Sequence, residues 1–112
     1  MSEKAIASLP ESISKHSISK NEIVLPLGQA LLAIDHFESY GVLVLGWEGW
    51  VKDIAGRVGH SNAPQGTNSL ENCSVNEAAE FCRKTILQES ELWHKQNSAS
   101  MDTLYFCITV GS

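Results

Sequence analysis

No apolar run in this chain, Val42-Leu43-Val44-Leu45 included, comes near the roughly 20 residues that a membrane-spanning helix needs. The stretch from Met1 to Pro10 carries Glu3 and Lys4 and has no apolar core of signal-peptide length. Cysteine is scarce and odd in number: Cys73, Cys82 and Cys107 do not make the even set of a disulfide-stapled secreted domain. Positive charge is short as well. Eight Lys and Arg stand against thirteen Asp and Glu, for a net charge of −5. Phosphate contacts need a basic face, so the charge balance argues against a nucleic-acid binder. These absences together predict a cytoplasmic protein with no membrane and no nucleic-acid partner.

Catalytic and metal signatures are missing too. His16, His36, His60 and His94 include no i, i+4 pair, and Cys73 and Cys82 stand nine positions apart, too far for a zinc knuckle. Gly56-Arg57-Val58-Gly59 lacks the GxxxxGK[ST] spacing of a phosphate loop, and Gly41 to Gly49 holds no GxGxxG. Cys82 falls in a helical apolar stripe and Cys107 in an apolar strand, the settings of unreactive core thiols. No metal, cofactor, small-molecule substrate or catalytic residue is expected.

What the chain does contain is the material of one domain. Its 112 residues are 43% hydrophobic and 19% charged, ordinary values for a single globular core. Residues 1–22 read as a loosely ordered arm with one short helix, in which Ser8 could cap Pro10 to Lys15. Ile23-Val24-Leu25 is a short strand or an extended lead-in, because Pro26 disfavours a helical Leu25. The first long helix is predicted from Pro26 to Tyr40, with Leu27, Ala30, Leu31, Ile34 and Phe37 inward and Gly41 as its stop. Val42 to Leu45 reads as a strand covered on both faces, and the residues after it continue into a second strand through Val51. Residues 55–72 are a long polar loop or a hairpin with a flexible tip.

Ser74 with Glu77 forms a capping-box pattern that opens the second long helix, ending near Gln96. Its buried stripe is Ala78, Phe81, Cys82, Thr85, Ile86, Leu92 and Trp93. The chain closes on Leu104 to Val110, a β-branched and aromatic strand. The fold expected is α+β: a single small domain, a mainly antiparallel sheet with two principal helices packed on it.

The densest chemistry is Gly46-Trp47-Glu48-Gly49-Trp50, which places two of the three tryptophans within four residues. Either both indoles fill the core with Glu48 in solvent, or the segment is an aromatic and acidic contact surface. Trp47 directly extends the apolar run and is expected to be the more buried, with Glu48 and Trp50 nearer the surface. The motif lies in the most one-sided acidic stretch, where Asp35, Glu38, Glu48 and Asp53 meet only Lys52. Asp35 and Glu38 fall one helical turn apart and form either a solvated face or an acidic patch. Arg57 and His60 belong to the polar loop and are candidate contacts. Asp35, Glu38, Glu48, Trp50, Asp53, Arg57 and His60 are thus the candidate partner-binding residues.

The order of Ala30-Leu31-Leu32-Ala33-Ile34, Val44 to Trp50, the loop at Gly59-His60-Ser61, the helix with Phe81, Glu89 and Trp93, and Tyr105 to Ile108 resembles bacterial polymorphic-toxin immunity proteins. That family includes the immunity partners of contact-dependent growth-inhibition toxins. The resemblance spans roughly residues 10–110, and its specific part is the GWEGW segment. It implies a cofactor-free, non-enzymatic cytoplasmic protein that binds the C-terminal domain of a cognate toxin one to one. The toxin implied is a nuclease with a basic cleft that an acidic partner occludes. The competing readings are a small enzyme built on Glu48, Arg57 and His60, and an interaction module for some other protein.

Overall fold

The computed structural model describes residues 7–59, 63–67 and 73–111. Among the described residues the elements are, in order, α1 (Glu11–Ser14), β1 (Ile23–Leu25), α2 (Leu27–Ser39), β2 (Val44–Lys52), β3 (Val58–Gly59), β4 (Gln65–Thr67), α3 (Val75–Gln96) and β5 (Thr103–Val110). The domain is α+β, with a five-stranded antiparallel sheet and two main helices packed on it. β5 lies between β1 and β2, and β3 and β4 pair in succession along the far side of β2.

Local sequence explains where the helices begin and end. Ser74 Oγ accepts the Glu77 N–H while the Glu77 carboxylate accepts the Ser74 N–H, so two otherwise orphaned donors open α3 satisfied. α2 starts behind Pro26, and its chain reverses at Gly41, whose φ of +71° is left-handed backbone that suits glycine. α1 has Pro10 at its N-cap with no side-chain cap, so Ser8 does not serve there.

Both long helices cover the same face of the sheet. Ala30, Ala33, Ile34 and Phe37 of α2 and Ala79, Cys82, Ile86 and Trp93 of α3 meet Val44, Trp47, Leu104, Phe106 and Ile108 in one core. Phe81 and Leu92, expected in the α3 stripe, are instead 38% and 47% exposed. The core is served by a narrower band of that helix, and these two side chains flank it. Residues 7–22 contribute to the core through Leu9 and Ile13. The same segment closes the β1 edge: the Val24 N–H donates to Ser17 Oγ, and the Val24 carbonyl accepts the Ile18 N–H. An edge strand so occupied offers no template to another chain.

The tryptophan motif does not begin a second strand. Val44 to Lys52 is one continuous strand, and a register shift against β5 falls between Val44 and Gly46. The extra residue lets Val44 and Trp47 both face the helices despite their opposite parity. From Gly46 onwards the alternation is regular. Trp47, Gly49 and Val51 point to the helices, while Gly46, Glu48, Trp50 and Lys52 point to the opposite face.

Candidate functional site

Among the described residues no helix covers that opposite face. Its rungs are read from the pairing of β2 with β5: Glu48 beside Cys107, Trp50 beside Tyr105, and Lys52 beside Thr103. β1 adds Val24 next to Cys107, and β4 adds Gln65 next to Glu48. Trp50 and Tyr105 are both half-buried and form the aromatic centre of the face. The Trp50 indole N–H donates to Glu48 Oε1 at 3.2 Å, so the ring leans back along its own strand over the carboxylate. Two neighbouring aromatic side chains beside a carboxylate suit contact with a cationic protein surface.

Trp47 works on the other side. It is 3% exposed, its ring meets Phe106 edge to face at 5.4 Å, and its N–H donates to Thr85 Oγ1 at 2.9 Å. Thr85 in turn donates to the Phe81 carbonyl, so the indole is tied to the main chain of α3. Gly66 of β4 pairs with Trp47, and the ring occupies the space where a side chain of residue 66 would be.

The acidic residues of α2 are committed elsewhere. Arg83 of α3 reaches Asp35 at 2.9 Å and Glu38 at 2.8 Å, so the pair, read as a solvated face or an acidic patch, is an interhelical bridge. The hydrogen bond to Glu38, foremost, holds the guanidinium above even its ordinary pKa. Asp53 and Arg57 build the turn between β2 and β3. The Asp53 carboxylate accepts the N–H groups of Ala55 and Arg57 and pairs with Arg57 Nε at 3.0 Å. The Arg57 amide N–H is the chief reason that this carboxyl sits below its usual range, with the guanidinium adding to it. Beside the turn lies a cleft of about 310 Å³, lined by Val51, Asp53, Arg57 and Val58 on one side and Trp93, Asn97 and Asp102 on the other.

Cys82 and Cys107 are buried, and burial pushes their thiols up to about 11 and about 12. Near Cys107 the Glu22 and Glu48 carboxylates raise the value further. Both thiols therefore stay protonated at neutral pH, while Cys73 is only half-buried. A thiol-reactive dye should label Cys73 rapidly in the native protein and the other two only on unfolding. The sign of the pH effect follows. Below pH 9, the ordinary thiol value, folded and unfolded chains both hold these protons. Above it the unfolded chain ionises first, so stability falls until the pH passes the folded values. Replacing both Cys82 and Cys107 by alanine should flatten that fall in denaturation curves between pH 9 and 11; an unchanged slope would contradict the assignment.

The structure thus joins Glu48 with Trp50, Asp53 with Arg57, and Asp35 with Glu38, in three separate places. His60 lies outside the described residues. Thr85, Arg83 and Tyr105 matter to these sites but carry no local motif, because their partners are distant in sequence. Among the described residues no group of three or more His, Cys, Asp or Glu could hold a metal ion. No helix among them is long and apolar enough to cross a membrane. No family model, curated protein or solved structure matches the chain.

Proposed function

We propose that this chain is a cytoplasmic immunity protein that binds the C-terminal domain of a cognate bacterial toxin one to one and blocks its active site. The observation that carries the reading is the sheet face that no helix among the described residues covers, where the half-buried Trp50 and Tyr105 pair across β2 and β5 and Glu48 is hydrogen-bonded to the indole. Large, stiff aromatic side chains give contact area at low entropic cost, and such residues dominate binding energies. The partner is a basic domain, because the chain carries a net charge of −5 and would steer a cation towards itself. A nuclease fits that description, since its substrate is anionic and its cleft is basic. The protein acts by binding and performs no turnover.

The experiment is direct. The toxin domain that this reading places in the gene directly upstream is mixed with the purified chain, and the complex is followed by co-elution and by cell survival. Glu48→Lys should slow association by about an order of magnitude at low salt, with the difference shrinking as ionic strength rises. Neither co-elution nor protection, or turnover of a substrate that requires Glu48, would overturn the reading.

A further inference from the structure

Trp93 is 5% exposed, yet its indole N–H meets no acceptor among the described residues. The other two tryptophans are satisfied, Trp47 by Thr85 and Trp50 by Glu48. A buried indole N–H ordinarily has a partner. Trp93 borders the cleft beside the β2–β3 turn, between the C-terminal end of α3 and the start of β5. Across the cleft, Asp102 uses its main-chain N–H on Ser100 Oγ, but its carboxylate forms no ion pair among the described residues. Asn97 donates through Nδ2 to the Trp93 carbonyl, which leaves its Oδ1 as an acceptor. Asp53 and Arg57 neutralise each other, so Asp102 leaves the cleft one negative charge.

Exposed apolar side chains neighbour two of the lining residues in sequence. Ile54, next to Asp53 in the turn, is 79% exposed, and Met101, next to Asp102, is 77% exposed. A cleft that mixes polar side chains with Val51, Val58 and the buried Trp93 suits an inserted side chain whose own main chain closes over the top. Its volume, about 310 Å³, lies at the low end of the roughly 300–1,000 Å³ of small-molecule pockets and suits a single long side chain. The local charge requires that side chain to be a cation. Among cations, the planar guanidinium can pair with a carboxylate through two parallel hydrogen bonds, which a lysine ammonium cannot.

We propose that this cleft is an anchor pocket for an arginine-bearing loop of a basic protein partner. The guanidinium pairs with Asp102, and a main-chain carbonyl of the same loop takes the Trp93 indole N–H. The proposal rests on the reading of this chain as a binder of a basic protein. It adds a second contact beside the aromatic sheet face, and Val58, paired with Lys52 on the β2–β3 rung, borders both.

The test uses N-acetyl-arginine-N-methylamide, which carries the guanidinium and two amide carbonyls, titrated into the intact ¹⁵N-labelled protein. The three indole N–H signals are assigned with Trp→Phe variants. The Trp93 signal should move saturably together with the Asp102 main-chain signal, while those of Trp47 and Trp50 stay still. Asp102→Asn, a surface change that leaves the core intact, should weaken the binding about tenfold, the loss of one charge-assisted contact. The glutamate analogue should produce no such movement, and the lysine analogue a weaker one. A static Trp93 signal, or equal movement with the glutamate analogue, would overturn the proposal. So would movement with protein concentration alone, which would make a second copy of the chain the occupant. The two readings fail separately. A static signal beside an intact toxin complex removes only the pocket, whereas arginine binding without any toxin complex removes only the immunity reading.

Discussion

Trp47→Ala should lower folding stability by about 3–5 kcal/mol, the usual cost of emptying a buried aromatic site. The loss has three parts. The ring is 3% exposed, packs against Phe106, and donates to Thr85, whose hydroxyl loses that donor. Trp50→Ala should cost distinctly less, because its ring is half-buried on the face without helices and its N–H bond is to Glu48. Denaturant titrations of the two variants decide the matter. A larger loss for Trp50→Ala would reverse the assignment of core and surface between the two indoles.

The second large effect is expected at Gly66. A Cβ there would lie 2.7 Å from Cε2 of Trp47, closer still to Nε1, and 3.1 Å from Thr85 Oγ1. The indole cannot simply swing away, because Thr85 and Phe106 hold it on two sides. Gly66→Ala should therefore destabilise the fold by about 1–3 kcal/mol, as overpacking of a filled core does. The effect belongs to the pair. With Trp47 already replaced by alanine the space is open, so the same Gly66→Ala change should cost little. Equal costs in the two backgrounds would show that the ring does not lie over Gly66.

Much of this architecture is legible in local patterns. Ser74 and Glu77 announce the start of α3, Gly41 marks the stop of α2, and Leu104 to Val110 declares itself a strand by its branched and aromatic residues. Trp47 is more buried than Trp50, as its place directly after the apolar run suggests, but the parity of that run does not by itself turn the ring inward. The bulge between Val44 and Gly46 carries no such mark, and it alone decides which face of β2 meets the helices. The stripe of α3 misleads for a related reason: helical spacing gives a broad apolar band, and only packing shows that Phe81 and Leu92 lie at its margin.

The candidate site is legible only in part. Glu48 and Trp50 sit two positions apart, so their contact is local. Asp53 and Arg57, four apart, make a turn that sequence alone could equally read as a contact loop. Arg83 meets Asp35 and Glu38 across separations of 48 and 45 residues, which no spacing rule reaches. Tyr105 likewise becomes Trp50's neighbour only once β5 pairs with β2.

The central proposal is that the sheet face bearing Trp50 and Tyr105 binds a toxin. Its most direct test is survival of cells that express the toxin domain proposed to be encoded directly upstream together with the Trp50→Ala/Tyr105→Ala variant. Circular dichroism and a denaturation curve must first show that the variant is folded. The account predicts a folded variant that has lost protection, while the wild-type chain protects fully. Undiminished protection by the folded variant would contradict it.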